Sequence, residues 1–210
     1  MDVDLVVPLK HPREGKSRLR GALAGVAHAE LVLALAYDTL AAVTSVAAVR
    51  RVLVVAADPA AVSELAGLGV ELVKESRDGG LNEALRHGEA LLRDGDPGGV
   101  VGALQADLPA LRAGDFAAAL AEAAGRRAFV ADRQGTGTTL LLSAPGAPLG
   151  PRFGAGSAQR HTASGATALA AGLVSLRSDV DTSDDLRHAA ALGVGKRTAA
   201  LLPTEPVPMD

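Results

Sequence analysis

Three aspartates and a group of fixed cations stand where apolar runs of this sequence end, and their chemistry suits phosphate and a divalent cation. The run VVGALQADLP, residues 100–109, leaves its apolar stretch at Asp107. A carboxylate so placed suits Mg²⁺, and a turn or capping aspartate before Pro109 is an alternative of equal weight. The run RSDVDT, residues 177–182, sets Asp179 and Asp181 two apart. In extended backbone such residues point to one side, and a divalent cation relieves the repulsion between them. Asp181 or Thr182 would also serve as a helix cap. Asp107 taken together with Asp179 tips the reading towards a metal.

The run PLKHPREGKSR, residues 8–18, follows an apolar strand and carries Lys10, Lys16 and Arg18. Such a loop, opening a helix, can hold a triphosphate through its cations and the helix amides; a solvated basic loop is the plainer reading. Gly15, Lys16 and Ser17 match the end of a P-loop, which would make the chain a kinase. The leading glycine of that pattern falls on Lys10, however, and Pro12 lacks an amide that the cradle uses. The run DRQGTGTT, residues 132–139, is either a phosphate- or carboxylate-binding turn or a β-hairpin turn. In FGAGSAQRH, residues 153–161, Gly154, Ser157 and Arg160 suit an anion site or a generic helix cap. Asn82, in GGLN, is placed to read a base or ribose or to cap a helix.

The elements that must position these residues read as strands and helices in alternation. Apolar runs at 4–9, 50–57, 70–74, 98–106, 127–131, 138–143 and 173–177 have strand length. Helices are expected at 27–46, after Asp58 and Pro59, and at 115–124, 159–171 and 182–192. Leu81, Ala84, Leu85, Gly88, Leu91 and Leu92 trace one helical face. Thr182 and Asp185 form a weaker relative of the capping box. Continuous rather than alternating apolar strands predict an α/β fold with a mostly parallel central sheet flanked by helices. In such sheets ligands bind beyond the carboxyl ends of the strands. A single domain over residues 1–202 is expected, with a proline-rich tail at 203–210.

Composition excludes several classes. The chain of 210 residues contains no cysteine, so disulfides, thiolate metal sites and cysteine nucleophiles are ruled out. The five histidines lack metal-binding spacing. Acids and bases are mixed, with net charge −3 and 2% aromatics, which argues against nucleic acid as a partner. Apolar stretches such as residues 31–36 fall far short of the roughly 20 residues of a membrane span, and the opening MDVDL is acidic where a signal peptide is basic. A cytoplasmic location is expected.

The ordered set VPLK…GKSRL, GLNEAL, ALQADLPAL, FVADRQGTGTT, FGAGSAQRH and DVDTSDDL resembles the CofC/FbiD family, the guanylyltransferases of coenzyme F-420 biosynthesis. The resemblance covers nearly the whole chain and implies a nucleotidyltransferase with a glycosyltransferase-A-like, Rossmann-like sheet. It assigns Lys10, Lys16 and Arg18 to the nucleotide phosphates and Asn82 to the guanosine side. It sets Asp107 and Asp179 at Mg²⁺ with Asp181 as a third carboxylate, makes Lys16 and Asp107 the catalytic pair, and gives Thr139, Gly154 and Ser157 to a phosphoacid substrate. The implied substrates are GTP and phosphoenolpyruvate, which the GTGTT…FGAGSAQRH form favours, with 2-phospho-L-lactate as the alternative and a downstream F-420 transferase as consumer of the product. A non-catalytic nucleotide-binding module is the rival of a different class. Oligomeric state is open on these residues.

Overall fold

The computed structural model describes residues 2–76, 80–170 and 172–203. Residues 204–210 of the expected tail lie outside that set, as do Gly79 and Ala171. β1 (Val3–Leu9), β2 (Val49–Ala56), β3 (Glu71–Lys74) and β4 (Val100–Leu104) pair in parallel. β5 (Ala128–Ala131), β6 (Thr138–Leu142) and β7 (Thr167–Ala168) complete a seven-stranded sheet in the order β3-β2-β1-β4-β6-β5-β7. β6 alone is reversed, antiparallel to both β4 and β5. After β3 the chain crosses back to the far side of β1, so β1 and β4 flank a topological switch point.

The strands are largely apolar because both faces of the sheet are covered, with charged residues near strand ends such as Asp4, Arg50, Arg51, Glu71 and Lys74. Val3, Leu5, Val7 and Leu9 of β1 join one core with Leu40 and Val43 of α1 (His28–Thr44) and Phe116 of α3 (Ala113–Ala123). Val6 points the other way, into a core with Leu53, Val55 and Leu85 of α2 (Gly80–Gly95). α2 lies so close to the sheet that a Cβ on Gly88 would stand 2.5 Å from Val6 Cγ1 and 2.9 Å from Val55 Cγ2. A third cluster joins Leu19, Leu31, Leu35, Ala110, Val180 and Leu186, tying the loop after β1 to α5 (Ser183–Leu192). No helix among the described residues is long and apolar enough to cross a membrane.

Two sequence-based expectations are corrected. The helix expected over 159–171 is α4 (Ser157–Ala163) only. Gly165, at φ +86°, turns the chain back, and the Thr167 and Leu169 amides then donate to the Arg127 and Phe129 carbonyls at the sheet edge. The strand expected over 173–177 is instead a 3-10 turn at Ser175–Arg177. Ser175 donates to Asp115 through its amide (3.0 Å) and its hydroxyl (2.7 Å), so the segment is held to the start of α3 instead of extending as a strand. The segment after Pro59 is a kinked 3-10 helix, Ala60–Leu68, in which the Ala60 amide donates to Asp58. A four-residue helix, α6 (Lys196–Ala199), follows α5.

Candidate active site

Asp107 follows β4 at the carboxyl edge of the sheet, and its backbone is fixed on two sides. The buried hydroxyl of Thr39 on α1 accepts from the Leu108 amide at 2.9 Å and lies 3.2 Å from the Ala106 carbonyl. From the other side the Val180 amide donates to the Asp107 carbonyl at 3.0 Å. That single bond seats Val180 against Asp107, with Asp179 and Asp181 flanking it in sequence. Helix α5 anchors the segment: Thr182 caps it, accepting from the Asp185 amide, while the Asp185 carboxylate accepts from the Thr182 amide at 3.0 Å. Residues distant in sequence are thereby assembled at one place.

Lys16 closes the group. Its ammonium donates to Asp107 and, at 2.5 Å, to Asp181. Burial alone would lower the Lys16 pKa, yet Asp107 and Asp181 raise it, so the side chain is a permanent cation. Lys16 adopts left-handed backbone, φ 54° and ψ 42°, and the chain continues into a 3-10 turn at Ser17–Leu19. A P-loop requires a long helix there; α1 begins only at His28, which donates to the Gly15 carbonyl at 2.7 Å. The kinase reading of Gly15, Lys16 and Ser17 therefore fails on local structure.

The site carries an unbalanced negative charge. Asp179 is pushed up to about 7, by burial first and by Asp107, with Asp181 and Asp132 adding to the effect. Asp107 Oδ1 is buried and accepts no hydrogen bond from the described residues. An orphaned carboxylate oxygen beside crowded carboxylates fits a hard divalent cation, and Mg²⁺ is commonly held by one or two carboxylates completed by substrate phosphates. As the side chains lie, no three acidic or histidine groups among the described residues are arranged to ligate an ion on their own.

A cleft of about 710 Å³ opens from this group across the carboxyl ends of β1 and β2 to β3. Lys10, Lys16, Arg18, Asp107 and Asp181 line it. Lys10 and Arg18 are exposed. Asn82, expected on the guanosine side, is not among the lining residues. Its carboxamide donates to the Phe153 carbonyl (3.2 Å) and accepts from the Phe153 amide (2.8 Å). It thus joins α2 to the segment that carries Gly154.

That segment is the expected phosphoacid platform. Gly154, at φ +113°, is exposed, and Arg160 braces the turn by donating to the carbonyls of Arg152, Phe153 and Ala155. Ser157 is buried, its hydroxyl 3.0 Å from that of Thr138. The Thr139 hydroxyl is spent on the Leu176 carbonyl at 2.6 Å. The Thr139 carbonyl accepts from the Gln105 amide at 2.9 Å, and the residue is fully buried. In the preceding turn, Asp132 accepts from the Thr136 and Gly137 amides, each at 2.8 Å, which makes residues 132–138 a hairpin turn that uses those amides itself.

Sequence reasoning placed Thr138 only within the 132–139 turn and gave no role to His161. The buried His161 accepts at Nε2 from the Arg152 amide (3.0 Å) and therefore donates from Nδ1 to the Thr138 hydroxyl (2.9 Å). Burial, then the charges of Arg127, Arg160 and Arg152, push its pKa down to about 4, so it is neutral at pH 7. A histidine after a helix start gives no warning of this in one sequence.

A family model described as "Guanylyl transferase CofC like" matches residues 3–203. The chain belongs to this family. Among curated CofC-like relatives, the phosphoenolpyruvate guanylyltransferase of Thermomonospora curvata is 52% identical over 94% of this chain and 87% of its own. The protein of that name from Streptomyces scabiei is 53% identical over 95% of each. Among solved structures, 4-diphosphocytidyl-2C-methyl-D-erythritol synthase of Anaerococcus prevotii superposes with TM-score 0.60 at 11% identity, over 90% of this chain and 95% of that one. A CMP:2-keto-3-deoxy-manno-octonic acid synthetase complexed with CTP gives 0.53 at 15% identity, over 91% and 98%. These likenesses establish for the CofC-like chain a nucleotidyltransferase-type sheet.

Proposed function

We propose that this CofC-like chain transfers the guanylyl group of GTP to phosphoenolpyruvate, releasing pyrophosphate and forming enolpyruvyl-diphospho-guanosine. The observation that carries the reading is the convergence of Lys16, Asp107 and Asp181 on a cleft of about 710 Å³, with Asp179 close enough to Asp107 to be repelled by it. The names of the relatives support the choice of acceptor. A phosphate oxygen of the acceptor, already anionic, attacks the α-phosphorus, and the bond from that phosphorus to the β-bridging oxygen breaks. No proton has to be removed, so no general base is required. Lys10, Lys16 and Arg18 hold the triphosphate and offset its charge, while the Gly154–Ser157 turn holds the acceptor in line. Asp107 and Asp179, with Asp181, would hold Mg²⁺, which supplies charge neutralisation at the reacting phosphates. The same reading has the enzyme working in the cytoplasm and passing its product to the downstream F-420 transferase.

The test is the leaving group. With GTP, Mg²⁺ and phosphoenolpyruvate, the purified chain should release one pyrophosphate per acceptor consumed. Turnover with 2-phospho-L-lactate alone would replace the acceptor. GDP as product would replace the reaction, and GTP binding without turnover on either acid would make the chain a non-catalytic module.

A further inference from the structure

The wall of the cleft beyond β2 carries one carboxylate that phosphate chemistry does not use. Glu75 follows β3 and lines the cleft with Ala57, Gly80, Leu81 and Ala84. Its amide donates to the Ala56 carbonyl at 2.9 Å, which fixes the backbone. Its half-buried carboxylate makes no hydrogen bond or ion pair among the described residues. β2 and β1 separate β3 from β4, three inter-strand steps or about 14 Å. A purine nucleotide held by its α-phosphate near Asp107 extends its base across a gap of this kind. Leu81 and Ala84 then supply apolar surface for the base, and Glu75 meets its edge.

Guanine presents two donors side by side, N1–H and the 2-amino group. A carboxylate is acceptor-only with two oxygens, so the pair is complementary. Adenine offers an unprotonated N1 and no 2-amino group, and its lone pair faces the carboxylate. We propose that Glu75 selects guanine, accepting from N1–H and the 2-amino group. This rests on the cleft's being the GTP site and adds the residue that distinguishes the base.

Calorimetric titration with Mg²⁺-nucleotides, without acceptor, tests it. In the wild type, ITP, which lacks the 2-amino group, should bind about tenfold or more weaker than GTP. Glu75→Gln replaces one acceptor with a donor. It should weaken GTP about 10- to 100-fold and improve XTP, whose C2 carbonyl beside N1–H matches a carboxamide. Glu75→Ala should weaken GTP without the gain for XTP, a pattern that loss of folding or general loosening does not produce. Equal wild-type affinity for GTP and ITP, or an E75Q protein with unchanged GTP affinity and no gain for XTP, overturns the proposal. A wild type that binds GTP no better than ATP and CTP defeats the GTP reading beneath it, whereas a GTP-selective wild type with an indifferent E75Q protein defeats the role of Glu75 alone.

Discussion

At the residue scale, the proposed role of Asp107 turns on the balance of charge around it. Asp107→Asn keeps the shape but removes a charge that faces Lys16 and, on the proposed reading, the reacting phosphates. It should lower kcat by about 10²-fold or more in a pyrophosphate-release assay, with the fold intact by circular dichroism. Asp179→Asn should also abolish turnover, yet it relieves the repulsion among Asp107, Asp181 and Asp132 that burial intensifies. Its thermal midpoint at pH 8 without divalent ions should exceed that of the wild type by a few degrees, about 2–4 °C per kcal/mol for a chain of this size. A fall in midpoint would mean that Asp179 is held by compensating contacts. His161 has the opposite character. Its folded pKa of about 4 lies below the unfolded value of 6.5. The unfolded chain therefore binds the proton first, and the stability His161 contributes, complete above pH 6.5, is lost as pH falls towards 4. A shift of that size corresponds to about 3 kcal/mol. Urea denaturation at pH 7 and 4.5 should show that loss in the wild type and a smaller one in His161→Gln.

At the scale of elements, α2 links the two halves of the site. Gly80 and Leu81 line the cleft, and one residue later Asn82 holds Phe153 beside the expected acceptor platform. Asn82→Ala removes both bonds and should raise KM for the acceptor more than for GTP, with a stability cost of about 1–3 kcal/mol. An equal rise in both KM values would return Asn82 to the nucleotide side. Gly88→Ala gains about 1 kcal/mol of helix propensity. It also drives a methyl group into Val6 and Val55, and overpacking of a tight core costs about 1–3 kcal/mol. The midpoint of denaturation should fall. Most elements were legible because a two-sided sheet demands long apolar runs such as LVVPL, residues 5–9 of β1. Residues 173–177 misled by the same logic: Leu173 and Leu176 are buried in the core, but Val174 is exposed and the backbone closes a 3-10 turn instead of extending. β7, two residues long, is held by bonds to Arg127 and Phe129 that no local pattern announces.

At the scale of the whole molecule, the sheet order turns a scattered sequence into one site. Because β1 and β4 are neighbours, the loop after β1 brings Lys16 to Asp107, and the Val180–Asp107 bond brings the segment before α5 to the same point. The aspartates were legible one by one as ends of apolar runs. Asp107 and Asp179 were paired at a metal from their residue types, and the resemblance spread over the chain added Lys16 to the group. Glu75 was not legible, since a lone glutamate after a short strand is indistinguishable from a solvated one until the cleft is seen. The most direct measurement of the convergence is a titration of Mn²⁺ followed by electron paramagnetic resonance, with GTP present and the acceptor absent. The wild type should bind Mn²⁺ in a ternary complex that is lost or weakened about tenfold or more in both Asp107→Asn and Asp179→Asn. Unchanged Mn²⁺ affinity in both variants would mean that the carboxylates meet for structural reasons and that the nucleotide's metal lies elsewhere.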